Sequence, residues 1–204
     1  NFIPILKNHL LSCLMVHEFD GDENEFTPEE HVTLKILKNK IYFHKVVRVK
    51  YTTYNMRCDQ GTINPRTHPD VMVLTHEDNQ DHNANTHPYW YVHIIGIFHI
   101  MVEHTSIYST SKRPHCMDFL WVHWFGQDLS ALGGFQTCRL HHIGFVPDDD
   151  RNAFSFLEPD NILHTAHLIP AFTDGCTDRL LGSSGTYQIH GEDDMDYKNC
   201  YVNM

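Results

Sequence analysis

Tyr89-Trp-Tyr-Val-His-Ile-Ile-Gly-Ile-Phe-His-Ile-Met-Val102 carries no proline and consists mostly of β-branched and aromatic residues, and Met117-Asp-Phe-Leu-Trp-Val-His-Trp-Phe125 repeats the pattern. Such residues fit a pleated, half-buried surface better than a helix. The two stretches are predicted to pair as antiparallel neighbours, with the polar residues 105–116 as the hairpin loop between them. Outward from this pair, Lys40 to Tyr54 reads as a strand or hairpin, Val71 to Leu74 as a short strand, Phe135 to Val146 as a third strand and His164 to Phe172 as a last one. Polar stretches separate them. Arg57 to His68, with Gly61 and Pro65, reads as a loop, as do Thr75 to Pro88, Gly126 to Gly134 and the acidic Pro147 to Arg151; Pro159 and Asp160 open a helical turn.

At the N-terminal end Ile3, Leu6, Leu10, Leu14 and Phe19 fall near helical spacing, which predicts a short amphipathic helix. Thr27-Pro28-Glu29-Glu30 has a capping residue, a first-turn proline and helix-favouring acids, so a second helix is expected from there toward Leu37. Thr173 to Asn199 mixes Gly, Ser, Asp and Glu with little periodicity, and the apolar ending Tyr201-Val202 follows. The expected fold is mainly β (α+β). It is a small, curved antiparallel sheet or partly closed barrel with short peripheral helices. Residues 1–40 form an N-terminal helical extension, 41–172 the β-rich core domain and 173–204 an acidic, loosely ordered C-terminal segment.

A chain of 204 residues with 41% hydrophobic residues can build a core without staples. No apolar run reaches the roughly 18 residues of a membrane span, and Leu10 to Val16 lacks a basic leader and a small-residue cleavage site, so a soluble, unsecreted chain is expected. Because residue 1 is Asn, a fragment or processed product is expected. The net charge of −11 disfavours nonspecific attraction to a phosphate backbone, so direct nucleic-acid binding is not the favoured expectation. Six cysteines, Cys13, Cys58, Cys116, Cys138, Cys176 and Cys200, form no CxxC pair and no framework spacing. Reduced thiols in an intracellular compartment are expected.

Eighteen histidines against fifteen Lys plus Arg raise the question of a metal, because neutral imidazole is a common ligand. By strand alternation His93 and His99 share one face but lie about 20 Å apart, too far to hold one ion. His141 and His142 are adjacent and face opposite ways. A site needs a nonlocal meeting, such as His93 beside His123 with a carboxylate nearby. The candidate ligands are therefore His93, His99 and His123, for a divalent metal such as zinc. No HExxH motif and no Cys-His zinc spacing is present. Gly182-Ser-Ser-Gly185 lacks the nucleophile-elbow spacing, Gly133-Gly134 is not followed by GKS or GKT, and the runs Asp148-Asp149-Asp150 and Glu192-Asp193-Asp194 lack the alternation of a calcium loop. No catalytic residue is assigned and no cofactor is called for. Alternation places Trp90 on a face with Ile94 and Phe98, and Trp124 with Leu120 and Val122, as core. Tyr89 and Tyr91 lie on the opposite face, where two readings stand, core packing and an aromatic cage for a methylated lysine; with Trp121 they are the candidate partner contacts.

Phe26-Thr27-Pro28-Glu29-Glu30, Tyr51-Thr-Thr-Tyr54, the run from Ile63 to Val73, His87-Pro-Tyr-Trp-Tyr91, Ile95-Gly-Ile-Phe-His99, Phe119-Leu-Trp-Val122, Trp124-Phe125-Gly126 and His167-Leu-Ile-Pro-Ala-Phe172 occur in this order. Together they resemble the C-terminal region of uncharacterised proteins of mushroom-forming fungi, many of which carry a Plavaka-type transposase-like region upstream. The resemblance covers nearly the whole chain, and the upstream catalytic part has no counterpart in it. It implies arginine ancestry for His17, His31, His93, His123, His142 and His164, and for Cys13, Cys58, Cys138 and Cys176. Such changes follow from transitions at CpG-containing arginine codons, so a decayed transposon copy is expected. The strand order is also similar to bromo-adjacent homology domains, β-rich modules that bind chromatin or other proteins, a likeness at the level of fold only.

The expected function is a noncatalytic protein-interaction or chromatin-reader-like module, with a protein or chromatin partner and a nuclear location. The alternatives are a metal-dependent enzyme using nonlocal histidines and a relic with no selected function.

Overall fold

A computed structural model describes residues 2–15, 25–52, 57–74, 89–105, 113–128, 133, 139–177 and 196–203. Two helices, α1 (Phe2–Leu14) and α2 (Pro28–Thr33), precede the strands. These are β1 (Leu34–His44), β2 (Val47–Thr52), β3 (Cys58–Ile63), β4 (Asp70–Leu74), β5 (Tyr89–His104), β6 (His115–Gln127), β7 (His141–Phe145), β8 (Phe154–Leu157), β9 (Ile162–Thr165), β10 (His167–Pro170), β11 (Cys176–Thr177), β12 (Asp196–Tyr197) and β13 (Asn199–Asn203). Short 3-10 turns cover Pro159–Asn161 and Phe172–Asp174.

The expected central pair is present: β5 and β6 run antiparallel from Tyr91 opposite Phe125 to Val102 opposite His115. This long ribbon is shared by two neighbourhoods. Along its other edge β5 pairs first with β4 and then with β1, and along its own other edge β6 pairs with β8 and then β7. The main path runs β10-β13-β7-β6-β5-β4-β9. No ladder joins β10 to β9, so the sheet is not closed. Yet these two edge strands follow one another with only Ala166 between them, which requires the sheet to curve until its edges meet. At the β13 seam Gly144 lies opposite Asn199, and a Cβ on Gly144 would collide with the Asn199 side chain and lie 2.9 Å from the Lys198 carbonyl.

Both faces of the ribbon are buried, which is why its sequence reads as a continuous apolar run. On one face Val92, Ile94, Ile97, Leu120, Val122 and Trp124 pack under the separate β2–β3 hairpin, which contributes Val47, Val49 and Ile63. On the other, Tyr91, Phe125, Met72, Ile143 and Val202 fill the curved end. Further along that same face Phe119, Ile100, Val102 and Phe156 pack beneath Leu6, Leu10 and Leu11 of α1. Each of these leucines is fully buried, a contribution of roughly 2 kcal/mol apiece. Three adjacent aromatic contacts, Phe156 against Phe2, Phe119 and Trp121, knit helix to sheet.

Several expectations are corrected. Ile94 pairs with Val122 and Gly96 with Trp121, so Ile95 is an extra residue, a β-bulge that reverses the alternation. Trp90 and Ile94 therefore pack on one face while Phe98 packs on the other, under α1. Trp124, Leu120 and Val122 do share a face. Arg57 to His68 is not all loop, because Cys58 to Ile63 pairs residue for residue with β2. Its polar residues are exposed on the hairpin's outer side, and that concealed the strand. The second helix stops at Thr33 rather than Leu37: its capping box forms, with the Glu30 amide donating to Thr27 Oγ1 and the Thr27 amide to Glu30 Oε2, but Leu34 already pairs with His104. Strand structure thus reaches back into residues 1–40, and β13 sets residues 199–203 between β7 and β10. The expected continuation of the first helix to Phe19, the loop at 75–88, Ser183, Ser184 and the acids at 192–194 lie outside the described residues.

Candidate functional site

His93 and His123 are register partners on β5 and β6, and Asp70 Oδ1 lies 2.8 Å from His93 Nδ1, so the nonlocal meeting with a carboxylate exists. Its chemistry is that of a core. His123 is fully buried between the rings of Phe145 and Phe154, and its Nε2–H donates to the Val146 carbonyl at 2.7 Å. That hydrogen bond fixes the tautomer, and burial holds the His123 pKa below the ordinary value despite it. His99 does not join them. The bulge at Ile95 turns it to the face opposite His93, where it stacks on Tyr42 and His44. Among the described residues no group of three or more His, Cys, Asp or Glu is placed to hold a metal ion. His142 is also structural in its surroundings. Its Nδ1 lies 2.9 Å from Asp128, its Nε2 3.1 Å from Asp174, and Asn199 Nδ2–H donates to the same Asp174 oxygen, the hydrogen bond that most lowers the Asp174 pKa.

The expected aromatic contacts are mostly interior. Tyr91 is 2% exposed inside the curved end, where burial and then the neighbouring Tyr89 push its phenol pKa upward. Tyr89 is half-buried against the same cluster. Trp121 packs under α1, on Phe2, Phe154 and Phe156. The expectation of Tyr91 and Trp121 as partner contacts is corrected in favour of the core-packing alternative: burial takes Tyr91 from the surface, and Trp121 packs in a different cluster under α1. Of the described cysteines, Cys58, Cys116, Cys176 and Cys200 are free thiols, and Cys13 Sγ lies 3.7 Å from His9 Nε2.

What the surface does present lies on β1, β2 and β3. Between residues 35 and 66 the chain carries Lys35, Lys38, Lys40, Lys45, Arg48, Lys50, Arg57 and Arg66 against one acid, Asp59. All eight cations are exposed. This stretch is net +7 within a chain of −11, so the remainder is −18. Local structure enforces the exposure. The register of β1 on β5 jumps between Ile36 and Ile41, and Lys38 and Asn39 take positive φ (58° and 50°), which throws Lys38, Asn39 and Lys40 outward. In β2 Val47 and Val49 point to the core while Arg48 and Lys50 alternate to solvent, opposite Thr62 and Gln60.

Aromatic surface accompanies the charge. Tyr42 and Phe43, 40% and 50% exposed, stand on consecutive residues before His44 and Lys45. The Tyr42 and His99 rings stack at 4.6 Å and 7°, and His44 stacks on His99 at 4.8 Å, its Nε2 in hydrogen-bond contact with His99 Nδ1. Beyond His44 a cavity of about 430 Å³ is lined by Phe43, Lys45, Asn64, Pro65 and Arg66. Its floor is a tight turn in which the Arg66 amide donates to Asn64 Oδ1 and the Asn64 and His68 backbones bridge. The sequence held the signal for this face, because counting charge by segment rather than over the chain isolates residues 35–66.

No family model matches the chain, and neither does any curated protein or solved structure. Among the described residues no helix is long and apolar enough to cross a membrane.

Proposed function

We propose that this chain is a noncatalytic interaction module whose contact face is the basic, aromatic surface of β1 to β3, and that its partner is anionic. One observation carries the reading: eight exposed cations and one acid between residues 35 and 66, on β1, β2 and the segments flanking β2 and β3, in an otherwise acidic molecule. A random scatter of charge would leave this stretch acidic like the rest. The contacts are thus Tyr42, Lys45, Arg48 and Lys50 in place of Tyr89, Tyr91 and Trp121. The open cavity beside them suits docking more than catalysis, since among the described residues its lining holds no nucleophile paired with a base. A bromo-adjacent-homology-like architecture, a transposon-derived origin and a nuclear protein or chromatin partner belong to the same proposal, supported by the resemblance in sequence order and by the curved antiparallel sheet.

Retention on a heparin column tests it. A chain of pI about 5.8 should pass through at about pH 7.5 unless its cations are segregated on one face. Retention that is lost in the triple variant Lys45→Glu, Arg48→Glu, Lys50→Glu is the expected result; flow-through of the unaltered chain would overturn the proposal.

A further inference from the structure

Which anionic partner fits can be argued from the rings. Acidic protein surfaces offer carboxylates and apolar side chains, whereas single-stranded nucleic acid offers phosphates together with flat bases that need a π-face. The face supplies both halves of the second description. Tyr42 and His44 lie two residues apart on one side of β1, and His99, opposite Tyr42 on β5, stacks on each of them. The result is a cluster of three rings with Tyr42 and His44 exposed, set on the rigid ladder of β1 and β5 rather than on a loop. Lys45 follows His44 directly, and Arg48 and Lys50 alternate outward along β2. Opposite them stand Thr62 and Gln60, exposed side chains able to hydrogen-bond base edges without favouring one base.

We infer that this face binds single-stranded nucleic acid, with bases stacked on the exposed Tyr42 and His44 rings, which His99 backs, and phosphates held by Lys45, Arg48 and Lys50. The inference rests on the proposed function and names its partner. The expectation against nucleic acid came from the net charge of −11, but a strand meets the local field, and the local segment is +7. The acidic remainder contributes orientation: outside residues 35–66 the chain carries 25 acids against seven Lys and Arg and on balance repels a polyanion. Base identity plays little part, because stacking and backbone charge are both tolerant of sequence.

Fluorescence anisotropy of a labelled oligodeoxythymidylate of about 20 nucleotides, titrated with the full chain, tests the inference. Saturable binding is expected that weakens as salt rises from about 50 to about 200 mM. Tyr42→Ala should weaken it by about tenfold and Tyr42→Phe should leave it nearly unchanged, since stacking needs the ring and not the hydroxyl. Lys45→Glu with Arg48→Glu should reduce the dependence on salt. Thermal melts of each variant establish that it is folded, as expected for exposed positions. No binding at low salt, equal binding by Tyr42→Ala, or tighter binding of a duplex of the same length would overturn the inference. An oligoglutamate peptide of similar length separates the two levels. If the peptide binds through Lys45 and Arg48 while the oligonucleotide does not, the interaction face stands and the nucleic-acid partner falls; if neither binds and heparin does not retain the chain, both fall.

Discussion

The curved end of the sheet and the β1 to β3 face treat polar side chains in opposite ways. At the curved end histidines are folded inward and given partners: His93 beside Asp70, His123 on the Val146 carbonyl, His142 between Asp128 and Asp174. On β1 to β3 cations are turned outward on a strand pair whose inner side is apolar. The histidines of the curved end are thus structural, whereas the grouping available to a partner is the basic one on β1 to β3. Abundance in the sequence says little about role; position relative to the core says much.

The largest effect should come from the interior. Phe156→Ala removes the ring that joins α1 to β6, and about 3–5 kcal/mol of stability should be lost, read as a drop in the urea midpoint. A loss below about 1 kcal/mol would mean that α1 does not seal this core. Next is acid. Burial lowers His9, in α1, from 6.5 to about 4. Above about pH 6.5 it is neutral whether folded or unfolded and contributes no pH dependence. As pH falls from 6.5 toward 4 only the unfolded chain takes the proton, so stability should decline by about 3 kcal/mol from this group and then level off. His9→Leu should flatten that part of a melting temperature against pH curve; an unchanged curve would show that His9 is not held neutral.

Smaller effects sharpen the contrast. Thr27→Ala removes the cap of α2, which should cost about 1 kcal/mol, visible in thermal melts. Smallest of all, Lys50→Gln on the outer side of β2 should shift stability by less than about 0.5 kcal/mol while weakening heparin retention. A larger destabilisation there would break the comparison, because the basic face would then be holding the fold together.

Much of the fold was legible. The ribbon of β5 and β6 announced itself because strands buried on both sides need apolar residues at nearly every position, and Thr27 with Pro28 and Glu30 marked α2 because capping chemistry is local. Three things were not legible. The bulge at Ile95 depends on cross-strand register, which no spacing within β5 reveals, so faces counted past it were reversed for Phe98 and His99. Cys58 to Ile63 looked like loop because one side of an outer hairpin strand meets water and Gly61 carries no side chain to reveal its burial. The short β13 owes its place to partners more than fifty residues earlier in β7, and only Val202 of it is fully buried. The basic face was hidden differently, by averaging charge over a chain in which eight of fifteen Lys and Arg fall between residues 35 and 66.

The seating of β13 between β7 and β10 also sets an order of events at the ribosome. β7 and β10 are synthesised before residues 199–203, and until those residues arrive each has an unpaired row of amides and carbonyls facing the gap. During that interval the nascent chain is vulnerable to pairing with a neighbour instead of with itself, and the curved end can be completed only after synthesis has passed Asn203.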